Sequence, residues 1–379
     1  MRYLKSAVAI LFLFLVCVMN RAVLAQAPRL DPLKSPEVLS DHRVTFRMRA
    51  PQAKEVSIFG DWMPIGSKEP LKRDEKGVWS ITLGPLAPGE AIYNFYLDGL
   101  PIADPINPHI KLRARTSASI VDVPGDGTEL WRPLEVPHGL VELNWEKSKV
   151  IDGQTREFRV YVPPGYHEQP GTRFPVLYLL HGSNDTAAGW TDVGHANFIL
   201  DNLIAQKRAR PMIVVMPWGH AVPFDAPREI QSKNNALFEN YVLEDLIPTV
   251  EARYRVAPGR ENRAIVGLSM GGGQAIAIGL SHLELFSYVG GFSAAAPGDF
   301  ETRFHSLLDD PKSTNDRLSL FWFGCGQQDT LFGRSKNLDA LLRAHQIRHT
   351  FRVTDGRHNY TLWRQYLGEI TPLLFAGYS

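Results

Sequence analysis

The sequence predicts two successive architectures: an all-β sandwich in the first third and an α/β domain with a mostly parallel central sheet in the rest. Three observations carry this. Between about 41 and 123, apolar and polar residues alternate, and proline and glycine clusters break the runs at roughly ten-residue intervals. Beyond 140, near-continuous apolar runs alternate with helical stretches, the pattern of strands covered by helices on both faces. The change falls at "VPGDGTELWRPLEVPHG", 123 to 139, which has the proline and glycine content of a linker.

At the N-terminus, Arg2 and Lys5 precede the apolar run "AVAILFLFLVCV", and "VLAQ" offers small residues for cleavage after about Ala25. The run is shorter than the roughly 20 residues a spanning helix needs, and Val16 is a poor residue before a lipidated cysteine at Cys17. Residues 1–25 therefore read as a signal peptide, 26–123 as the sandwich, 124–139 as the linker and 140–379 as the α/β domain. The expected location is secreted or periplasmic, with no membrane association after cleavage.

In the sandwich, "HRVTFRMRAP" alternates Val44, Phe46 and Met48 with polar neighbours. "VWSITLGPL" does the same with Trp79, Ile81 and Leu83, and "AIYNFYLDG" with Tyr93, Phe95 and Leu97. In the α/β domain the strand-like runs are "FRVYVP", "FPVLYLLHG", "PMIVVMPWG", "RAIVGLS", "YVGGFSA", "LSLFWFGCG" and "HTFRVT". Helical stretches such as "NFILDNLIAQ" and "LFENYVLEDLIPTVEARY" lie between most of them.

The chain has 379 residues, enough for two domains, with 44% hydrophobic and 21% charged residues. Its formal charge of +1 falls to −2 once Arg2, Lys5 and Arg21 leave with the signal. That balance gives no electrostatic basis for a nucleic-acid or anionic-membrane partner. The mature chain keeps one cysteine, Cys325, and so forms no internal disulfide.

The informative stretch is "AIVGLSMGGGQAIAIG", 264 to 279, where Ser269 sits between glycines at a strand-to-helix boundary. A sharp turn there exposes the hydroxyl at the carboxyl edge of the sheet, and the glycines let backbone segments approach where side chains would collide. Serine needs a base within hydrogen-bond reach and an acid that orients the base. In sheets of this type the chain order is serine, acid, histidine. Downstream lie His282, His305, His345, His349 and His358. Only His358, in "TDGRHNYTLW", falls in a loop just past a strand at the same sheet edge, so it is the expected base. Asp329, directly after "FWFGCGQQ", is the favoured acid; Asp355 and Asp299 are the alternatives. An oxyanion hole needs preorganised N–H donors. Met270, after the nucleophile, and Ser183, in the "HGS" turn at 181–183, are the expected ones. The reading calls for no cofactor and no metal.

With these residues in place, the α/β part resembles the esterases of carbohydrate esterase family 1, which include feruloyl and acetylxylan esterases. It is similar also to enterochelin esterases and mycolyltransferases. "YLLHG", "GLSMGG", "CGQQD" and "GRHNYTLW" carry the resemblance across about 140 to 375. It implies an α/β-hydrolase fold, with Ser269, Asp329 and His358 as triad and the Met270 and Ser183 N–H groups as oxyanion donors. The front part resembles a family-48 carbohydrate-binding module of the early-set immunoglobulin-like type through "VSIFGDW", "GVWSITLGPL", "YNFYLDG" and "DPINP". Together they imply a secreted esterase acting on feruloylated or acetylated polysaccharide. The alternatives are a siderophore trilactone esterase and a non-catalytic glycan-binding protein.

For substrate contacts, Trp190, Trp218, Trp363 and Phe224 are the candidates for an aromatic wall. Trp62 is the candidate for stacking on a sugar. The stretch 219–240 is long for a strand–helix connection and is a candidate lid.

Overall fold

A computed structural model describes residues 32–294 and 297–376, so the signal-peptide reading lies outside the described residues. Among the described residues no helix is long and apolar enough to cross a membrane.

The alternating N-terminal runs form two antiparallel sheets. One orders Glu37–Val38, Val44–Arg49, Val78–Leu83 and Lys72–Arg73. The other orders Glu69–Pro70, Val56–Gly60, Gly89–Leu97, Ala118–Val123 and Ile110–Lys111, with Leu100–Ile102 paired to Gly89–Leu97. Period-two alternation gives each sheet one apolar face. Those faces share a core in which Phe46 and Met48 of the first sheet join Ile58, Tyr93, Phe95 and Val121 of the second.

The second part is an α/β fold on an eight-stranded mixed sheet. Its strands run in the order Leu140–Lys147, Thr155–Val162, Ile213–Pro217, Val176–Leu180, Arg263–Leu268, Tyr288–Phe292, Leu320–Gly326 and Thr350–Thr354. The last six are mutually parallel, and Thr155–Val162 alone runs against them, antiparallel to both its neighbours. All seven strand-like runs of the sequence form strands. The eighth, Leu140–Lys147, escaped the sequence reading because it is an edge strand. Leu140, Leu143 and Trp145 are exposed on it, so it lacks the continuous apolar run of a buried strand.

Residues from Ser35 onward form one compact unit. The 124–139 segment has no helix or strand, as a linker composition implies, yet it is no free tether. Asn202 donates to the Leu130 and Arg132 carbonyls at 2.8 and 2.9 Å, and Leu130 and Trp131 pack on the α/β core. That same core takes in Ile92, Ala118 and Ile120 of the two-sheet region beside Trp190, Leu362 and Trp363. A shared core of this kind fixes the two-sheet region against the carboxyl edge of the parallel strands.

Candidate active site

Ser269 opens the Ser269–Ser281 helix directly after the buried strand Arg263–Leu268, and its φ is +51°. A non-glycine residue held there is strained, and such strain persists where surrounding structure enforces it. The enforcement is visible at the flanking glycines. A Cβ on Gly267 would lie 2.3 Å from the Gly271 carbonyl oxygen, and one on Gly271 would lie 2.4 Å from that of His181. Only glycine permits these approaches, as the sequence pattern implies.

Three residues distant in sequence meet at this turn. His358 Nε2 lies 2.9 Å from Ser269 Oγ, and His358 Nδ1 lies 2.9 and 3.1 Å from the two carboxylate oxygens of Asp329. Asp329 is buried. Burial by itself raises its pKa, but the hydrogen bond and charge of His358, the Leu331 N–H and the Ser293 hydroxyl outweigh it. The carboxyl is held below its usual range. An ionised acid on Nδ1 leaves Nε2 free to accept the serine proton.

The other sequence candidates lie elsewhere. His282 pairs with Glu239 and Glu284, His349 with Asp339, and His345 faces the Leu308 carbonyl. His305 faces the carbonyl of Thr302. Asp355 is exposed, and Asp299 sits at the start of the short Phe300–Arg303 helix.

The 181–185 turn packs directly on the nucleophile. A Cβ on Gly182 would lie 3.4 Å from Ser269 Cβ, and Ser183 and Ser269 line one cleft. His181 is fully buried, its Nδ1 2.7 Å from the Gly182 carbonyl and its Nε2 accepting the Gly219 N–H at 2.8 Å. That pattern requires a neutral ring with the proton on Nδ1, and burial pushes its pKa down to about 4. A carbonyl of Gly182 tied to His181 and to the Asp185 N–H (3.0 Å) turns the Ser183 N–H the opposite way across the planar peptide. Met270 and Ser183 line a second cleft, of about 520 Å³, with Phe224, Arg115, His220 and Asn234. The 219–240 stretch thus holds the helices Arg228–Gln231 and Asn234–Tyr241 and walls one side of the site.

The aromatic candidates separate. Trp363 lines the main cleft and meets His358 edge-on at 4.9 Å, its Nε1–H donating to Ser293 Oγ. Phe224 lies under the Arg115 guanidinium in the second cleft. Trp190 is not a wall residue: it is fully buried, donates to the Leu180 carbonyl and packs edge-on against Phe292 and Tyr360. A large apolar ring in a helix covering the sheet gains more from the core than from solvent. Trp218 packs behind the site, its ring edge-on to His181 and His220. Trp62 is half-buried, stacked on Phe46 and lying over Gly60, where a Cβ would collide with its ring. It serves packing in the two-sheet core.

The main cleft, about 510 Å³, is built by both parts of the chain. The α/β part brings Ser183, Ser269, Arg357, His358 and Trp363, and the two-sheet region brings Asp61, Met63, Ile65, Ile92, Lys111 and Arg113. Asp61, whose Oδ1 accepts the Ile92 N–H, is pushed up to about 6, chiefly by desolvation. Sequence reasoning assigned none of these two-sheet residues to the site. The available signal was "KLRAR" at 111–115, which sets three cations at alternate positions and hence on one side of an extended segment.

The family model described as "Putative esterase" matches residues 148–374, more than half of the chain. The chain belongs to this esterase family. The family's chemistry is carboxylic ester hydrolysis, and the hydrogen-bonded serine, histidine and aspartate lie within the matched span. An endo-1,4-beta-xylanase/feruloyl esterase of Xylanibacter ruminicola is 30% identical over 350 residues, covering 90% of this chain and 46% of that protein. The chain spans less than half the length of the curated relatives it matches. Among solved structures, a CE1 ferulic acid esterase from Anaeromyces mucronatus is 25% identical with a TM-score of 0.55, over 66% of this chain and 95% of that one. The enterobactin esterase of Shigella flexneri, 19% identical, matches in fold with a TM-score of 0.65 over 88% of this chain and 93% of that one. These esterases share an α/β-hydrolase-like fold with the present chain.

Proposed function

We propose that this protein is a secreted serine esterase that releases feruloyl, or acetyl, groups from plant polysaccharide. The observation that carries the proposal is the chain of hydrogen bonds from Asp329 through His358 to Ser269 Oγ at the floor of a cleft of ligand size. Ser269 attacks the ester carbonyl while His358 Nε2 takes its proton, and Asp329 holds the ring and stabilises the imidazolium. The Met270 and Ser183 N–H groups receive the developing oxyanion. His358 then protonates the departing alcohol, and water, deprotonated by the same ring, hydrolyses the acyl-enzyme. The feruloyl assignment is supported by the names of the relatives, and by a cleft whose walls combine Trp363, Met63 and Ile65 with polar groups. The two-sheet region is, on this reading, an immunoglobulin-like sandwich related to carbohydrate-binding modules, and the chain is exported after cleavage near Ala25.

A second reading, hydrolysis of a siderophore trilactone, is favoured by the cationic Arg113 and Arg357 in the cleft, which suit an anionic catecholate. A substrate panel separates the readings. Methyl ferulate or acetylated xylan should be hydrolysed, with Ser269→Ala lowering kcat by at least about 10⁴-fold. Undiminished turnover in that variant would sink the mechanism, and cleavage of a ferric trilactone with no action on feruloyl or acetyl esters would replace the substrate.

A further inference from the structure

We infer that Lys111, a residue of the two-sheet region, is a positioning residue for ester hydrolysis: it neutralises Asp185, the carboxylate lying against the oxyanion turn. The inference rests on the serine-esterase reading above, and it gives the two-sheet region a role in the chemical step that requires no sugar.

Asp185 belongs to the turn that presents Ser183. Its N–H donates to the Gly182 carbonyl at 3.0 Å, and its Oδ2 would stand 3.6 Å from a Cβ on Gly182. A carboxylate so close to the site of a developing oxyanion opposes the reaction unless a cation balances it, because water is excluded and the field is weakly screened. The balancing charge comes from across the chain. Lys111 Nζ forms an ion pair with Asp185 Oδ1 at 2.5 Å, and the side chains are only 7% and 4% exposed. Lys111 also lies 4.6 Å from the ring centre of Tyr360, whose hydroxyl donates to Asp185 Oδ2 at 3.0 Å. Three residues further on, the Ala114 N–H donates to the Asn184 carbonyl at 3.2 Å, so the 111–114 segment clasps the turn by backbone as well as by charge. Burial pushes the Asp185 carboxyl up, but Lys111 and its other partners outweigh that effect and keep it below its usual range, hence ionised. Among the described residues, Lys111 is its ion-pair partner.

The test measures kcat and KM of the full chain on p-nitrophenyl acetate, which carries no sugar, together with thermal melts. Lys111→Met should lower kcat by about 10- to 100-fold with KM within about twofold, since an unbalanced charge acts on the transition state more than on substrate binding. Lys111→Met/Asp185→Asn should recover most of that loss. Asp185→Asn alone should keep at least half of the wild-type kcat, because it removes the opposing charge while the new amide oxygen still accepts from Tyr360. A purely structural pair would lose kcat in both single variants and gain nothing from the double. Unchanged kcat in Lys111→Met, or no recovery in the double variant, overturns the inference. If Lys111→Met does not fold, Asp185→Asn decides: a fall below half of wild type overturns the inference and a retained kcat supports it. Loss of wild-type activity in Ser269→Ala upholds the underlying reading. An inert wild type removes both, whereas an active wild type with an indifferent Lys111 removes this inference alone.

Discussion

The α/β part and the two-sheet region face each other across one cleft, and they differ in how their cleft residues are held. On the α/β side, Ser269 and the 181–185 turn stand at the ends of parallel strands buried on both faces, and His358 follows the edge strand Thr350–Thr354. Hydrogen bonds fix each side chain: Asp329 on His358, Gly182 and Gly219 on His181. On the two-sheet side, Met63 and Ile65 come from a loop after the strand Val56–Gly60, and Ile65 is 67% exposed. Deeper on that side, Lys111 is fixed by its buried pair with Asp185, Asp61 by the Ile92 N–H and Arg113 by the Asn94 side-chain oxygen. The hydrogen-bonded serine, histidine and aspartate, whose geometry tolerates little displacement, sit on the rigid scaffold, while the exposed Ile65 sits on the opposite wall.

The largest expected effect tests the rigid side. Asp329→Asn keeps the shape but loses the charge that orients the ring; kcat should fall about 10⁴-fold and the melting temperature only modestly, by the loss of the favourably held carboxylate. A loss below tenfold would assign the orienting role to another group. Next, His181→Leu removes the ring's hydrogen bonds to the Gly182 carbonyl and the Gly219 N–H, and kcat should fall about 10²-fold with little change in KM. A change confined to KM would make the turn a binding element instead. On the opposite wall, Ile65→Asp should raise KM for methyl ferulate by roughly tenfold and leave p-nitrophenyl acetate turnover unaltered, as expected for uniform binding. A matching loss on both esters would erase the distinction between the walls.

The smallest effect concerns pH and stability. His181 titrates near 6.5 when unfolded and is pushed down to about 4 in the folded chain. As pH falls below 6.5 the unfolded chain takes up this proton first. The contribution is therefore full above 6.5 and is lost progressively as pH falls toward 4, by about 3 kcal/mol in total. His181→Gln, which does not titrate, should flatten the decline of melting temperature across that window. An unaltered slope would mean that the ring is already charged in the folded state.

Much of the nucleophile side was legible because its signals are local. Gly267 and Gly271 report a close backbone approach, Ser269 lies between them, and Asp329 and His358 directly follow apolar runs that end at one sheet edge. Aromatic positions were less legible, because a tryptophan buried in a core and one lining a cleft look alike in sequence. Both Trp190 and Trp363 joined the core, and Trp363 also borders the cleft, though both are flanked by helical patterns. Of the cleft wall, 59–65 left no signal and 111–113 only the alternating cations of "KLRAR", since the wall depends on how one sheet region rests on another.

By itself the sequence determined the alternation of strands and helices, the strained serine turn, and the order of serine, acid and base. These follow from side-chain periodicity and from the steric needs of single residues. Tertiary structure alone decided that Lys111 reaches Asp185 and that Trp62 lies on Phe46. It also decided that the two-sheet region closes the cleft above Ser269. Contacts between residues tens of positions apart are selected by which surfaces bury together, and no local pattern of residues encodes that choice.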